Sequence, residues 1–159
     1  MLPKPLTPEQ LYDSFLLLAP SARAAVPDGD APPPDAALGL DEDPVRIEFV
    51  RRMRMPPGDP TEYRAGTLQA LMLMNGRLTD EATAHDRSSL LGAASAPFLS
   101  DDERIDLLFL ATFARAPADD ERAAFLDELQ QCETPADRQR ALSDMLWALV
   151  NTTEFAFNR

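Results

Sequence analysis

A chain of 159 residues with 45% apolar content is long enough to bury a core without disulfides or metals, and too apolar to be a disordered acidic tail. Its 15 Lys and Arg against 27 Asp and Glu leave a formal net charge of −12, which repels nucleic-acid phosphate and anionic membrane and sets both aside as partners. The single cysteine, Cys132, excludes an internal disulfide, and no run approaches the ~18 apolar residues of a membrane span.

Helical signals run along the chain. Thr7-Pro8-Glu9-Gln10 is a capping box with Pro at the first helical position. It predicts a helix to Ala19 that buries Leu11, Phe15 and Leu18, with Pro20 as the stop. The stretch from Pro27 to Pro44 holds Asp28-Gly29-Asp30 and Pro32-Pro33-Pro34 and reads as an extended loop. Asp43-Pro44 restarts a helix with Val45, Phe49 and Met53 on one face, before Pro56-Pro57-Gly58-Asp59-Pro60 interrupts again. Thr67 to Gly76 is apolar nearly all round, which predicts a buried central helix with Gly76 as its C-terminal stop. Thr79-Asp80-Glu81 opens a helix expected to reach Leu91.

Ser100-Asp101-Asp102-Glu103 is a second capping box, followed by Ile105, Leu108, Phe109 and Thr112 on the expected buried side. Ala116 to Glu121 breaks that helix and starts an amphipathic one with Phe125, Leu126 and Leu129. Thr134-Pro135 starts the last helix, whose face is Leu142, Met145, Leu146, Leu149 and Val150, and whose end carries Phe155 and Phe157 as an expected docked terminus. Alternating strand patterns are nearly absent. The expected fold is all-α, an irregular bundle of about six or seven helices with a long Pro-rich loop near the N-terminus. One domain is expected over residues 1–159, with the loop at 21–43 and the compact part at 44–159.

Four segments, in order, resemble a C-terminal domain of unknown function found in large planctomycete proteins. There it often follows a cytochrome c module and a second uncharacterised domain. The segments are Pro5 to Ser14; Phe49-Val50-Arg51-Arg52 leading to Leu68 through Gly76; Leu107 through Pro117 followed by Asp120-Glu121-Arg122; and the terminal Asp144 through Asn158. Together they cover nearly the whole chain. Members of that family carry a Cys-x-Cys-Glu-Arg-like element between the halves of the second segment. Here the region reads Asp59-Pro60-Thr61-Glu62-Tyr63-Arg64, so any metal or redox role of that element is lost. The resemblance implies no established activity and supplies no catalytic residue. It suggests an exported or periplasmic setting, although Met1-Leu2-Pro3-Lys4-Pro5 has no signal-peptide pattern.

The chemistry-bearing residues are sparse. His85 is the one histidine, and Glu81 shares its helix face, but zinc needs three or four ligands and none is added by a second His or a nearby Cys. Cys132 sits between Glu128 and Glu133, which opposes a lowered thiol pKa. There is no GxSxG elbow, no base placed beside a serine along the chain, no GxGxxG and no P-loop. The acid pairs Asp101-Asp102 and Asp119-Asp120 sit at helix starts, where capping accounts for them. Arg46, Arg51, Arg52 and Arg54 form a basic cluster in an acidic chain. By default they pair with the protein's own acids; alternatively they meet an anionic ligand or an acidic partner surface. The expectation is a non-catalytic helical scaffold or interaction domain with no cofactor, partnered by other protein modules or subunits. Two alternatives stand beside it. One is an accessory part of a multi-domain redox or polysaccharide-directed enzyme; the other is a small-ligand site lined by Trp147, Phe155, Phe157 and methionines.

Overall fold

Polar caps set the helix boundaries. The computed structural model describes residues 4–20, 44–53, 74 and 76–158, and the side chains of Lys4 and of 157–158 are not included. Thr7 Oγ1 accepts from Gln10 N at 3.2 Å while Gln10 Oε1 accepts from Thr7 N at 3.0 Å, and this reciprocal box opens α1, Pro8–Leu18. The same device opens α5, Asp101–Phe113, through Ser100 and Glu103, and α7, Pro135–Val150, through Thr134 and Asp137. Four helices complete the set among the described residues: α2, Pro44–Met53; α3, Arg77–Thr83; α4, Ser89–Ala94; and α6, Asp119–Gln130. A two-residue antiparallel pair, β1 Lys4–Pro5 with β2 Phe157–Asn158, lays the two ends side by side. Leu6 N extends it by donating to Ala156 O at 2.9 Å. The fold is all-α in a multi-helix arrangement.

The last helix is the hub. α7 packs against α3, α4, α5 and α6, while α1 packs against α2 and α3. Every face residue predicted for α7 is buried: Leu142, Met145, Leu146, Leu149 and Val150. The core continues through Tyr12, Phe15, Leu91, Ile105, Leu108, Phe109 and Leu129, and each described helix contributes to it. Fully burying a side chain of this size contributes roughly 1.5–3 kcal/mol, against entropy costs of comparable total. Phe155, just beyond α7, is buried and meets the Phe15 ring edge-on at 5.3 Å between centroids, so the chain end docks into the core.

The structure corrects several boundaries. The helix expected from Thr79 to Leu91 is two helices, because Ala84 leaves helical backbone and Ser88 starts a new cap. Ser88 Oγ accepts from Leu91 N, and the Ser88 and Ser89 hydroxyls both lie within hydrogen-bond reach of Leu18 O, the orphan carbonyl at the end of α1. Thr79 is buried inside α3 instead of capping it. Gly76 is the N-cap of α3, with extended backbone, not a left-handed C-terminal stop. Met74 is exposed, which departs from the all-round burial expected for its segment. Thr112 is half-buried and its hydroxyl donates to Leu108 O at 2.8 Å. The expected loop at 21–43, the Pro56–Pro60 break and most of the Thr67–Gly76 segment lie outside the described residues.

Candidate functional site

Three constellations carry enough polar chemistry to be weighed as sites. The first was missed in the sequence. The turn at 85–87 between α3 and α4 folds His85 back over the end of α4, where its Nε2 lies 2.7 Å from Ser95 Oγ. A base within hydrogen-bond reach of a hydroxyl is the first requirement for an activated serine. The second requirement is a donor aimed at a developing oxyanion, and the nucleophile's own backbone N–H does not supply it. Ser95 sits at the C-cap of α4, at the negative end of the helix dipole, and its backbone N–H is spent on Leu91 O at 3.0 Å. The nearby carboxylate, Glu81, is held by Arg87 Nη1 at 2.7 Å. The pair therefore works as a staple across the α3–α4 turn.

The second constellation is built around Arg115. Ala114 ends α5 in left-handed backbone, φ 54°, and that reversal swings Arg115 back over the rings of Phe109 and Phe113, at 5.3 and 5.2 Å from their centroids. The guanidinium then forks onto two carboxylates. Nε and Nη2 donate to Glu154 at 2.9 and 2.8 Å, and Nη1 and Nη2 donate to Glu121 at 2.7 and 2.8 Å. Nη1 also donates to Ala116 O at 3.0 Å. All five N–H donors are thus accepted, so none is left for an incoming anion. Glu154 first, then Glu121, drives the Arg115 pKa well above its ordinary value. The knot forms part of the wall of a groove of about 450 Å³ between α1 and the end of α5, where Arg115 and Glu154 line it together with Leu6, Leu17, Phe113 and Phe155.

The third is the predicted basic cluster, and the structure divides it. Arg46 turns inward across α1, with Nε 3.5 Å from Asp13 Oδ1. Arg51 and Arg52 point outward and converge on Glu48, one carboxylate for two cations. Arg52, then Arg51, holds the Glu48 carboxyl below its usual range. Arg54 lies outside the described residues.

The remaining candidates are accounted for by packing. Cys132 is half-buried and its Sγ lies 3.4 Å from Glu128 O. Asp101 is bound by Arg138, and Asp102 accepts from Arg122 at 3.0 Å, which ties α5 to α7 and to α6. Trp147 keeps 38% of its surface exposed, donates from Nε1 to Met74 O at 3.3 Å, and does not line the groove that holds Phe155. The groove that holds Phe155 thus does not include Trp147, and the Phe157 side chain lies outside the described residues. Among the described residues no three His, Cys, Asp or Glu side chains are placed to hold a metal, and no helix is long and apolar enough to cross a membrane. Comparison of the chain with family models, with curated proteins and with solved structures gives no match.

Proposed function

We propose that this helical domain is a non-catalytic scaffold or protein-interaction module. The observation that carries the reading is the fate of its reactive-looking groups. Arg115 has no donor to spare, His85 and Ser95 have no oxyanion donor in the Ser95 backbone N–H, and both sets close the fold on itself. Two tests bear on it. A fluorophosphonate probe should leave Ser95 unlabelled; stoichiometric labelling that His85→Ala removes would overturn the non-catalytic reading. A photo-crosslinking phenylalanine analogue at Phe98 or Leu17, both exposed, should trap one defined protein in the native source, while the same group at Ala123 should not. Equal, diffuse trapping at all three positions would count against a specific partner.

A second reading is favoured by the groove beside Arg115. Its volume falls within the ~300–1,000 Å³ typical of ligand sites, and its walls mix apolar side chains with Ser14, Thr112, Arg115 and Glu154, which suits a small uncharged amphipathic molecule. The accessory role within a larger redox or polysaccharide-directed enzyme has support only from the resemblance to the planctomycete domain. It would be tested by co-expression with whatever modules its gene neighbourhood encodes.

A further inference from the structure

We infer that the outward face of α2 is a docking surface for an acidic segment of a partner protein that carries one apolar side chain. The apolar group seats on Ile47 and the carboxylates meet Arg51 and Arg52. This rests on the interaction-module reading and names the partner's chemistry.

The inference comes from how the arginines divide. Arg46, Arg87, Arg115, Arg122 and Arg138 each reach a carboxylate on another segment and thereby join parts of the fold. Among the described residues Arg51 and Arg52 reach only Glu48 on their own helix, so they join no two elements there. Their side chains are 74% and 61% exposed, and they share one carboxylate. The C-terminal end of a helix supplies about half a negative charge more. Two guanidiniums against one carboxylate and that half charge leave a positive surplus. It stands on a protein whose formal net charge is −12. Ile47, 55% exposed, lies one turn before Arg51 on the same face. An exposed apolar side chain one turn from Arg51, with Arg52 further round the helix beyond Glu48, matches an acidic segment that carries an apolar side chain at one edge. Repulsion from the distant acids does not prevent this, because charges beyond about 8 Å are largely screened at physiological ionic strength.

The test uses the full chain and three labelled twelve-residue peptides, followed by fluorescence anisotropy. One is glutamate-rich with a central leucine, one has serine in place of that leucine, and one is a lysine-rich counterpart. The first should bind at physiological salt, weaken at least tenfold when salt is raised to about 0.5 M, and lose tenfold or more against Arg51→Glu/Arg52→Glu. The serine peptide and Ile47→Ser should each weaken binding several-fold, and the lysine peptide should not bind through α2. Arg140→Glu, at an exposed arginine paired one-to-one with Asp137, should leave binding unchanged. Circular dichroism should confirm that the charge-reversed variant keeps its helicity. Binding that ignores Arg51 and Arg52, falls equally with Arg140→Glu, or is matched by a single-stranded oligonucleotide would overturn the inference. If photo-crosslinking at Phe98 or Leu17 still trapped a partner, the module reading would survive that failure.

Discussion

The two ends of the molecule use arginine in opposite ways. Around α5, α6 and α7, arginines are ties: Arg115 clips the end of α5 to α6 and to Glu154, Arg122 joins α6 to Asp102 and Asp106, and Arg138 joins α7 to Asp101. Around α2, Arg51 and Arg52 end on their own helix. A chain with nearly two acids per base has few cations to place. Where they bridge elements they are structural, and where they do not they are available. The difference teaches that the predicted basic cluster mixed two kinds of residue, which spacing along the chain does not separate.

The largest test of the tied region is its docked end. Phe155→Ala removes a ring buried against Phe15, and a loss of about 3–5 kcal/mol is expected from the transfer and cavity terms together. Deleting residues 152–159 should cost at least as much, since it also removes Glu154 and β2. Thermal melts would read this directly. An unchanged melting temperature would mean that the end is not docked in solution.

Next is the knot itself. Arg115→Met leaves Glu121 and Glu154 facing each other without a cation. Because the Arg115 side chain is about a quarter exposed, the cost should fall below that of a fully buried pair, at about 1–3 kcal/mol. Arg115→Lys should recover little of it, since one ammonium cannot fork onto two carboxylates. If Lys restores stability fully, charge alone matters and the bidentate geometry does not.

Opposite in sign are two alanines at the same junction. Ala118 is the N-cap of α6 but has no oxygen, so only half of its box exists: Glu121 Oε2 accepts from Ala118 N at 2.7 Å, with nothing returned. Ala118→Ser should stabilise by about 0.5–1 kcal/mol. Ala114 holds left-handed backbone that disfavours a side chain, so Ala114→Gly should gain up to ~1 kcal/mol. Denaturant midpoints measured beside Ser100→Ala, which should lose about 1 kcal/mol, would check both signs.

How much of this was legible depends on the range of the interaction. The boxes at Thr7 and Ser100 span three residues, and each was readable; at Thr134 the helix start was readable but not its box with Asp137. The apolar stripe of α7 was readable for the same reason. The break at Ala84–Ser88 was missed although the Ser88 cap on Leu91 N is local; only its other half, the Ser88 and Ser89 hydroxyls reaching Leu18 O some 70 residues away, needed the fold. His85 meeting Ser95, and Arg115 meeting Glu154 across 39 residues, likewise needed the fold. A local signal did exist for half the knot: Arg115 precedes a Pro and a helix whose third residue is Glu121.

Acid sharpens the comparison further. The Glu103 carboxyl is lowered by the Ser100 backbone N–H and then by its hydroxyl, and the Asp137 carboxyl by the Thr134 hydroxyl and then its N–H. Folded pKa values below the unfolded ones mean that the unfolded chain binds more protons in that range. These boxes therefore add stability above the unfolded carboxylate pKa, about 4, and lose it as pH falls through the lower folded values. Stability measured from pH 5 to 2.5 should fall less steeply in Ser100→Ala than in the parent. An identical acid limb would show that the Ser100 hydroxyl does not couple to Glu103 protonation, the backbone N–H being retained in the variant.

The smallest effect is expected where the arginines tie nothing. Arg51→Ala and Arg52→Ala remove exposed side chains whose shared carboxylate, Glu48, is itself on α2. Exposed pairs at this spacing contribute little, and what they give is screened by salt. The melting temperature should move by no more than about 2 °C, and less still at high salt. The Glu48 carboxyl should relax upward toward its usual range in the double variant, as the hydrogen bonds from Arg52 and then Arg51 are lost. A large destabilisation would place Arg51 and Arg52 with Arg115 and Arg122 as structural ties. It would also remove the reason to regard α2 as a surface held in reserve for another molecule.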